Sequence, residues 1–276
     1  MLDFNSLKAK FAHLTPIDRG GQKEVFGAIH PTYGDVVLKL FFKMDARSQR
    51  EIDISTNSGF DCVPVIFETG LVDYGGADTL YVIEQRVEGE ELSKRIERGD
   101  YFTLKEAVEF LEQGLSFVKQ LESKSIVHRD IKPGNIIISN SGKVFFIDFG
   151  IARVLGLPSL TMTGVMGPHT PGYAAPEQFN NLKSDIDSRA DLFSIGVVTY
   201  ECLTGKNPFR EGAGSHMEIL IRTETITPVS YEISGDTQQQ FMGLLSSLMG
   251  KLPSRRPSDA TQALNWLNGA KTTLQI

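Results

Sequence analysis

The chain has 276 residues, 41% of them hydrophobic and 22% charged, with a formal net charge of −6. That supplies enough apolar material for a sizeable core, in one two-lobed domain or two ordinary ones. The acidic balance argues against a dedicated nucleic-acid binder, because no basic excess is available to neutralise phosphates. The two cysteines, Cys62 and Cys202, stand far apart without metal-ligand spacing and read as buried reduced thiols, which suits a reducing cytosol. The first twenty residues lack a basic stretch followed by an apolar run, so no signal peptide is visible. No apolar stretch reaches the roughly 20 residues that span a bilayer. A cytoplasmic location is the expectation.

In chain order, residues Glu24 to Ile29 and Asp35 to Phe42 are β-rich and separated by Pro31 and Gly34, a hairpin signal. Asp45 to Ser55 carries charges around Ile52 and predicts a short helix. Val63 to Leu71 and Thr79 to Glu84 predict two further strands turning at Gly75-Gly76. After Gly89 the character changes. Leu104, Val108, Leu111, Leu115, Val118 and Leu121 recur at helical spacing, and Thr103 with Glu106 makes a capping box at the start of that run. Short β segments follow at Ile136 to Ile138 and Val144 to Ile147. The Gly-, Pro-, Thr- and Ser-rich span from Gly150 to Gln178 reads as loop. Ala190 to Leu203 is apolar almost all round and predicts a buried helix. Helical segments Gln239 to Met249 and Ser258 to Leu267 close the chain. The pattern is α+β: a small strand-rich lobe (1–84) and a larger helical lobe (85–276).

The chemistry concentrates in HRDIKPGN, His128 to Asn135. Asp130 can accept the hydrogen of an attacking hydroxyl, and Asn135 can offer its side-chain oxygen to magnesium, which prefers hard oxygen ligands. Lys132 lies between them, where its ammonium can neutralise charge on a moving phosphoryl group. A polar turn bent at Pro133-Gly134 is the bland alternative. The second motif is DFG, Asp148 to Gly150, eighteen residues beyond Asp130 and after a strand. A carboxylate at a strand end can hold magnesium against phosphate oxygens, and Phe149 can pack beneath it.

With these motifs in this order, the chain resembles the eukaryotic-like (Hanks-type) serine/threonine protein kinase family over nearly all its length, roughly from Ile17 to Trp266. The resemblance implies a bilobal protein-kinase fold in a single domain, 1–276, with an activation segment at 148–177. VVLK ends at Lys39, where the family has its lysine for the α- and β-phosphates, and Glu51 matches the glutamate that orients it. Asp53 is a rival, but helix geometry turns it about 200° from Glu51. Asp130 matches the catalytic base, and Asn135 and Asp148 the magnesium ligands. Ala175-Pro176-Glu177 matches the end of the activation segment. Asp191 matches the residue bracing the catalytic loop, and Arg256 the arginine that pairs with Glu177. Lys132 and the segment Thr170-Pro171-Gly172-Tyr173 follow the Ser/Thr pattern, with Thr170 touching the base and the lysine. Arg129, beside the base, implies regulation by a phosphate on the activation segment, with Thr161 and Thr163 as candidates and Ser159 behind them.

The glycine-rich loop departs from the family's G-x-G-x-x-G-x-V. Anchoring on Val25 puts Gly20 at the second glycine, Lys23 at the third and Asp18 at the first, with Gly21 beside Gly20. A lysine forced to left-handed φ costs roughly 1–2 kcal/mol, so another loop shape is expected, with Asp18 facing solvent and Lys23 offering its ammonium to phosphate. The resemblance places Val37 above the adenine and Ile83 at the rear of the pocket. Backbone groups of Glu84 to Val87, Arg86 included, bind the base, and Ile137 joins the nucleotide-binding set. The hinge reads one residue long, with Glu90 or Glu91 reaching the ribose. The implied activity is transfer of the γ-phosphoryl of ATP, with Mg2+, to Ser or Thr of protein substrates. Self-association for trans-autophosphorylation goes with it, and neither nucleic acid nor a membrane segment in this chain is expected. A pseudokinase scaffold, motivated by the altered glycine loop, and a small-molecule kinase are the competing readings. The stretch Thr170 to Glu177 argues against the latter.

Overall fold

The computed structural model describes residues 2–21, 23–42, 46–57, 59–149, 152–154, 169–180 and 186–276. The chain divides into two units, 1–88 and 89–276.

The first unit comprises β1 (Leu2–Asp3), α1 (Phe4–Lys8), β2 (Ala12–Arg19), β3 (Lys23–His30), β4 (Gly34–Phe41), α2 (Ala46–Asn57), β5 (Ile66–Tyr74) and β6 (Ala77–Gln85). The sheet order is β1-β5-β6-β4-β3-β2, antiparallel apart from the β1–β5 pair. Gly34 turns β3 into β4 with φ of 71°, a conformation that glycine adopts without steric cost. Period-two alternation then sorts the two faces. Phe26, Ala28, Leu38, Leu40, Tyr81 and Ile83 pack on one face with Leu7 of α1, whereas Phe41 and Val82 pack with Ile52 of α2 on the other. Lys39, paired with Val82 and Val25, belongs to the α2 face.

β2 carries no apolar alternation and its residues are almost all exposed, which is why the sequence reading passed over it. It is an edge strand containing Pro16, with register irregularities on either side of Thr15-Pro16, the position where a sheet tolerates proline.

The second unit holds β7 (Gly89–Glu91), α3 (Leu92–Glu97), α4 (Leu104–Ser123), β8 (Ile126–Val127), β9 (Ile136–Ser139), β10 (Val144–Phe146), β11 (Arg153–Val154), α5 (Arg189–Thr204), α6 (His216–Thr225), α7 (Gln240–Leu248) and α8 (Ala260–Lys271). Its small sheets run β10-β9-β7 and β11-β8. The expected capping box starts α4: Glu106 N–H donates to Thr103 Oγ1 at 3.2 Å, and Thr103 N–H to Glu106 Oε2 at 2.8 Å. α5 is buried from Ala190 to Cys202 and ends on Gly205 in the left-handed region. Gly114 of α4 lets Ile195 of α5 approach so closely that a Cβ there would meet Ile195 Cδ1 at 2.5 Å. The sequence reading missed α6 although its signal was present: Ser215 caps it by accepting Glu218 N–H at 3.1 Å. Among the described residues, no helix is long and apolar enough to cross a membrane.

Candidate active site

In the second unit, the HRDIKPGN segment leaves β8 and enters a 3-10 turn at Pro133–Asn135 just before β9. Asp191, at the start of α5 and fully buried, holds the segment: its two carboxylate oxygens accept the backbone N–H groups of His128 and Arg129, each at 2.8 Å. Burial outweighs these two bonds and pushes the Asp191 carboxyl up to about 7. Arg129 itself has φ of 71°, which a side-chain-bearing residue adopts only when its surroundings enforce it. Its N–H is fixed by Asp191, and its carbonyl accepts Gln178 Nε2 at 2.8 Å. Gln178 also accepts the Ala175 N–H at 3.0 Å, so it ties the Ala175-Pro176-Glu177 stretch to the HRDIKPGN segment. No sequence signal marked that residue. His128 packs 4.7 Å from the Phe149 ring, and burial lowers its pKa to about 4.

Asp130 stands at the centre of a closed triangle. Thr170 Oγ1 donates to Asp130 Oδ1 at 2.7 Å, Lys132 Nζ donates to Oδ2 at 2.8 Å, and Lys132 also reaches Thr170 Oγ1 at 3.1 Å. Asn135 Nδ2 donates to the Asp130 carbonyl at 2.9 Å and to Oδ2 at 3.0 Å. With its nitrogen anchored there, the amide oxygen of Asn135 is left as the hard donor. Asp148 follows β10 with φ of 69°, and the preceding Ile147 N–H donates to the Asn135 carbonyl at 2.9 Å. Asn135 and Asp148 are thereby placed on adjoining backbone. Their oxygen donors fit a magnesium ion, which keeps several waters and takes one or two carboxylate-type protein ligands. Ile137, on β9, is opposite Glu91 of β7 and Phe145 of β10. Gly150, Ser159, Thr161 and Thr163 lie outside the described residues.

In the first unit, Gly20 N–H donates to Lys23 O at 2.9 Å across the turn between β2 and β3, and Asp18 faces solvent as expected. Lys23 opens β3, its ammonium 3.5 Å from Glu51 and over the Phe41 ring. Val25, Gly27, Val37 and Lys39 share one face of the β3–β4 pair, where Gly27 lies opposite Val37. A Cβ at Gly27 would meet Arg86 Nη1 at 3.1 Å and Ile17 Cδ1 at 3.2 Å, so the missing side chain lets the Arg86 guanidinium and Ile17 lie close over the strand.

Lys39 is buried between two glutamates: Glu51 of α2 at 3.6 Å and Glu84 of β6 at 2.8 Å. Asp53, the rival to Glu51, is exposed and bonded to Gln49. The Glu84 side chain was missed by the sequence reading, and it overturns the placement of Ile83 at the rear of the pocket. Ile83 pairs with Leu38 and packs on the opposite face of the sheet. Glu84 pairs with Val37, diagonal to Lys39, and so presents its carboxylate on the lysine's face. The Arg86 N–H donates to Asp35 O at 3.4 Å within the sheet, so that donor, read as a contact to the base, is already engaged. Glu90 and Glu91 bond Arg98 and Ser93, respectively.

A family model described as protein kinase domain matches residues 11–267. The chain belongs to the protein kinase domain family. Within it, the chain is 34% identical over 260 residues to the Probable serine/threonine-protein kinase PknB of Corynebacterium glutamicum, covering 89% of this chain and 40% of that protein. It is 32% identical over 273 residues to the protein of the same name from Bifidobacterium longum, covering 92% and 39%. To the Serine/threonine-protein kinase PknA of Mycobacterium tuberculosis H37Rv it is 34% identical over 203 residues, covering 70% and 46%. The kinase domain thus spans about two fifths of the length of the first two relatives. It is of the Hanks-type serine/threonine class, α+β, with its strands first and its helices after, as the sequence motifs implied.

Proposed function

We propose that the chain transfers the γ-phosphoryl of ATP to serine or threonine hydroxyls of proteins, as a single kinase domain over 1–276 acting in the cytoplasm. The observation that carries this reading is the bond from Thr170 Oγ1 to Asp130 Oδ1 at 2.7 Å: this carboxylate already accepts the hydrogen of a threonine hydroxyl, with Lys132 alongside both groups. In the reaction, a substrate hydroxyl oxygen bonds to the γ-phosphorus, the bond from that phosphorus to the β–γ bridging oxygen breaks, ADP departs, and the proton passes to Asp130. Lys132 offsets charge on the transferring group. Lys39, oriented by Glu51, serves the α- and β-phosphates. Asn135 and Asp148 hold Mg2+, which supplies charge neutralisation on the phosphate oxygens. Val25 and Val37 receive the base. The names of the relatives support a protein substrate, and Thr161 and Thr163 are the residues we assign to autophosphorylation between two copies.

The test is incubation with magnesium and γ-labelled ATP beside Asp130→Ala, reading label on the protein and on a generic basic protein. Label on Ser or Thr that vanishes in the variant supports the proposal. ATP binding without label in either protein supports the one alternative with an observation behind it. That alternative is a nucleotide-binding scaffold, favoured by the single family glycine, Gly20, and by the engagement of Lys23 with Glu51.

A further inference from the structure

Four charged side chains meet on one face of the first unit's sheet: Lys23, Lys39, Glu51 and Glu84. Lys39, Glu51 and Glu84 are all buried. Their spacing is uneven. Glu84 lies 2.8 Å from Lys39, the length of a charge-assisted hydrogen bond, whereas Glu51 stands 3.6 Å from Lys39 and 3.5 Å from Lys23. Glu84 reaches this position because the pairs Val37 with Glu84 and Lys39 with Val82 set it diagonally across the ladder from the lysine, on the same face. No backbone rearrangement is needed for the contact; it is built into the register.

We infer that Glu84 is a positioning residue that competes with nucleotide phosphate for the Lys39 ammonium, and so sets nucleotide affinity. The inference rests on the kinase reading above, in which Lys39 serves the α- and β-phosphates. A triphosphate brings several negative charges to an ammonium already bonded to Glu84, in a buried setting where one unit charge a few ångströms away is strongly felt. Binding must draw the ammonium off Glu84, or hold it between Glu84 and phosphate, against the repulsion between carboxylate and phosphate. Glu51 acts in the other sense. At its longer distance it braces the lysine without forming its shortest bond, and it shares its charge with Lys23. The two acids that flank one lysine therefore have opposite effects on the nucleotide.

Glu84→Gln keeps the shape and an oxygen that can still accept from Lys39 while removing the charge. Calorimetric titration of the whole chain with MgATP and with adenosine separates the possibilities, since adenosine has no phosphate for Lys39 to bind. The expected result is MgATP binding about tenfold tighter in Glu84→Gln, adenosine binding within about twofold of wild type, and MgATP binding weakened in Glu51→Gln. A merely structural role of Glu84 would move both ligands together. Unchanged or weaker MgATP binding in Glu84→Gln, or an equal shift for adenosine, overturns the inference. Transfer of label by the wild type, lost in Asp130→Asn, decides the kinase reading separately. If that loss is seen and Glu84→Gln binds like wild type, only the role of Glu84 falls; if no variant binds MgATP, both fall.

Discussion

Arg256 closes a two-pronged ion pair on Glu177, Nη1 to Oε1 at 2.6 Å and Nη2 to Oε2 at 2.9 Å, with both side chains buried. The same guanidinium donates to the carbonyls of Gly250 at 2.7 Å and Arg189 at 2.8 Å, so one side chain links the Ala175-Pro176-Glu177 stretch, the start of α5 and the turn after α7. Removing one partner leaves the other charge buried and uncompensated. Glu177→Ala or Arg256→Ala should each lower unfolding free energy by about 3–5 kcal/mol, whereas Glu177→Met with Arg256→Met should lose less than the two single losses added. Urea denaturation checks this; single losses below about 1 kcal/mol would show the pair to be incidental.

The triangle of Thr170, Asp130 and Lys132 yields a prediction about rate. The threonine hydroxyl orients the base and the lysine at once, and it adds little buried area of its own. Thr170→Ala should lower kcat by about tenfold to a hundredfold with the KM for ATP unchanged, and Thr170→Ser should restore most of it, because serine keeps the oxygen. Steady-state kinetics on a peptide acceptor reads the split. Equal loss in Ala and Ser variants would assign the effect to the methyl group's packing.

Asp191 acts through backbone alone. Its two oxygens meet two N–H groups, of His128 and Arg129, and Asp191→Asn replaces one acceptor by an NH2 that faces a donor. An unsatisfied buried N–H costs about 1–3 kcal/mol, and here it also releases Arg129 from its positive φ. Asp191→Asn should therefore lower stability by that amount and lower kcat at least tenfold. Calorimetry and a transfer assay on the same preparation check both. Normal turnover with normal stability would remove Asp191 from its bracing role.

These residues also mark what the sequence could and could not tell. Asp130 and Asn135 were legible from their spacing within HRDIKPGN, whereas Lys39, Asp191, Glu177 and Arg256 were implied only by the family resemblance that the ordered motifs carry. The hairpins at Gly34 and Gly75-Gly76 and the capped start of α4 were legible from local sequence. Glu84 was not. Which of two neighbouring residues, Ile83 or Glu84, faces Lys39 depends on strand register, and a one-residue slip exchanges the faces. β2 escaped because an exposed edge strand needs no apolar alternation. The bond from Gln178 to Arg129 joins residues 49 positions apart and leaves no local trace. The positive φ of Arg129 is likewise imposed by packing, since an arginine side chain does not favour that region.

Lys251 offers a prediction with a pH sign. Its ammonium is buried with no hydrogen-bond acceptor among the described residues, 4.1 Å from the centroid of the Phe209 ring. Burial, with the neighbouring Arg256 adding to it, pushes its pKa down from 10.5 to about 8. A lysine whose folded pKa lies below its unfolded value binds fewer protons in the native state between those two limits. It therefore costs stability in full below about pH 8 and releases that cost as pH rises toward 10.5. Allowing for solvent screening, the cost at neutral pH is about 1–2 kcal/mol, of which the ring contact returns about 0.5–1. Lys251→Met keeps the apolar stem against Phe209 and Phe193 and removes the charge. It should stabilise the protein by roughly 1 kcal/mol at pH 7, and the difference from wild type should shrink steadily above pH 8. Paired urea titrations at pH 7, 8.5 and 10 read the trend. A variant less stable than wild type at pH 7 would mean that the cation over the ring outweighs the burial of its charge.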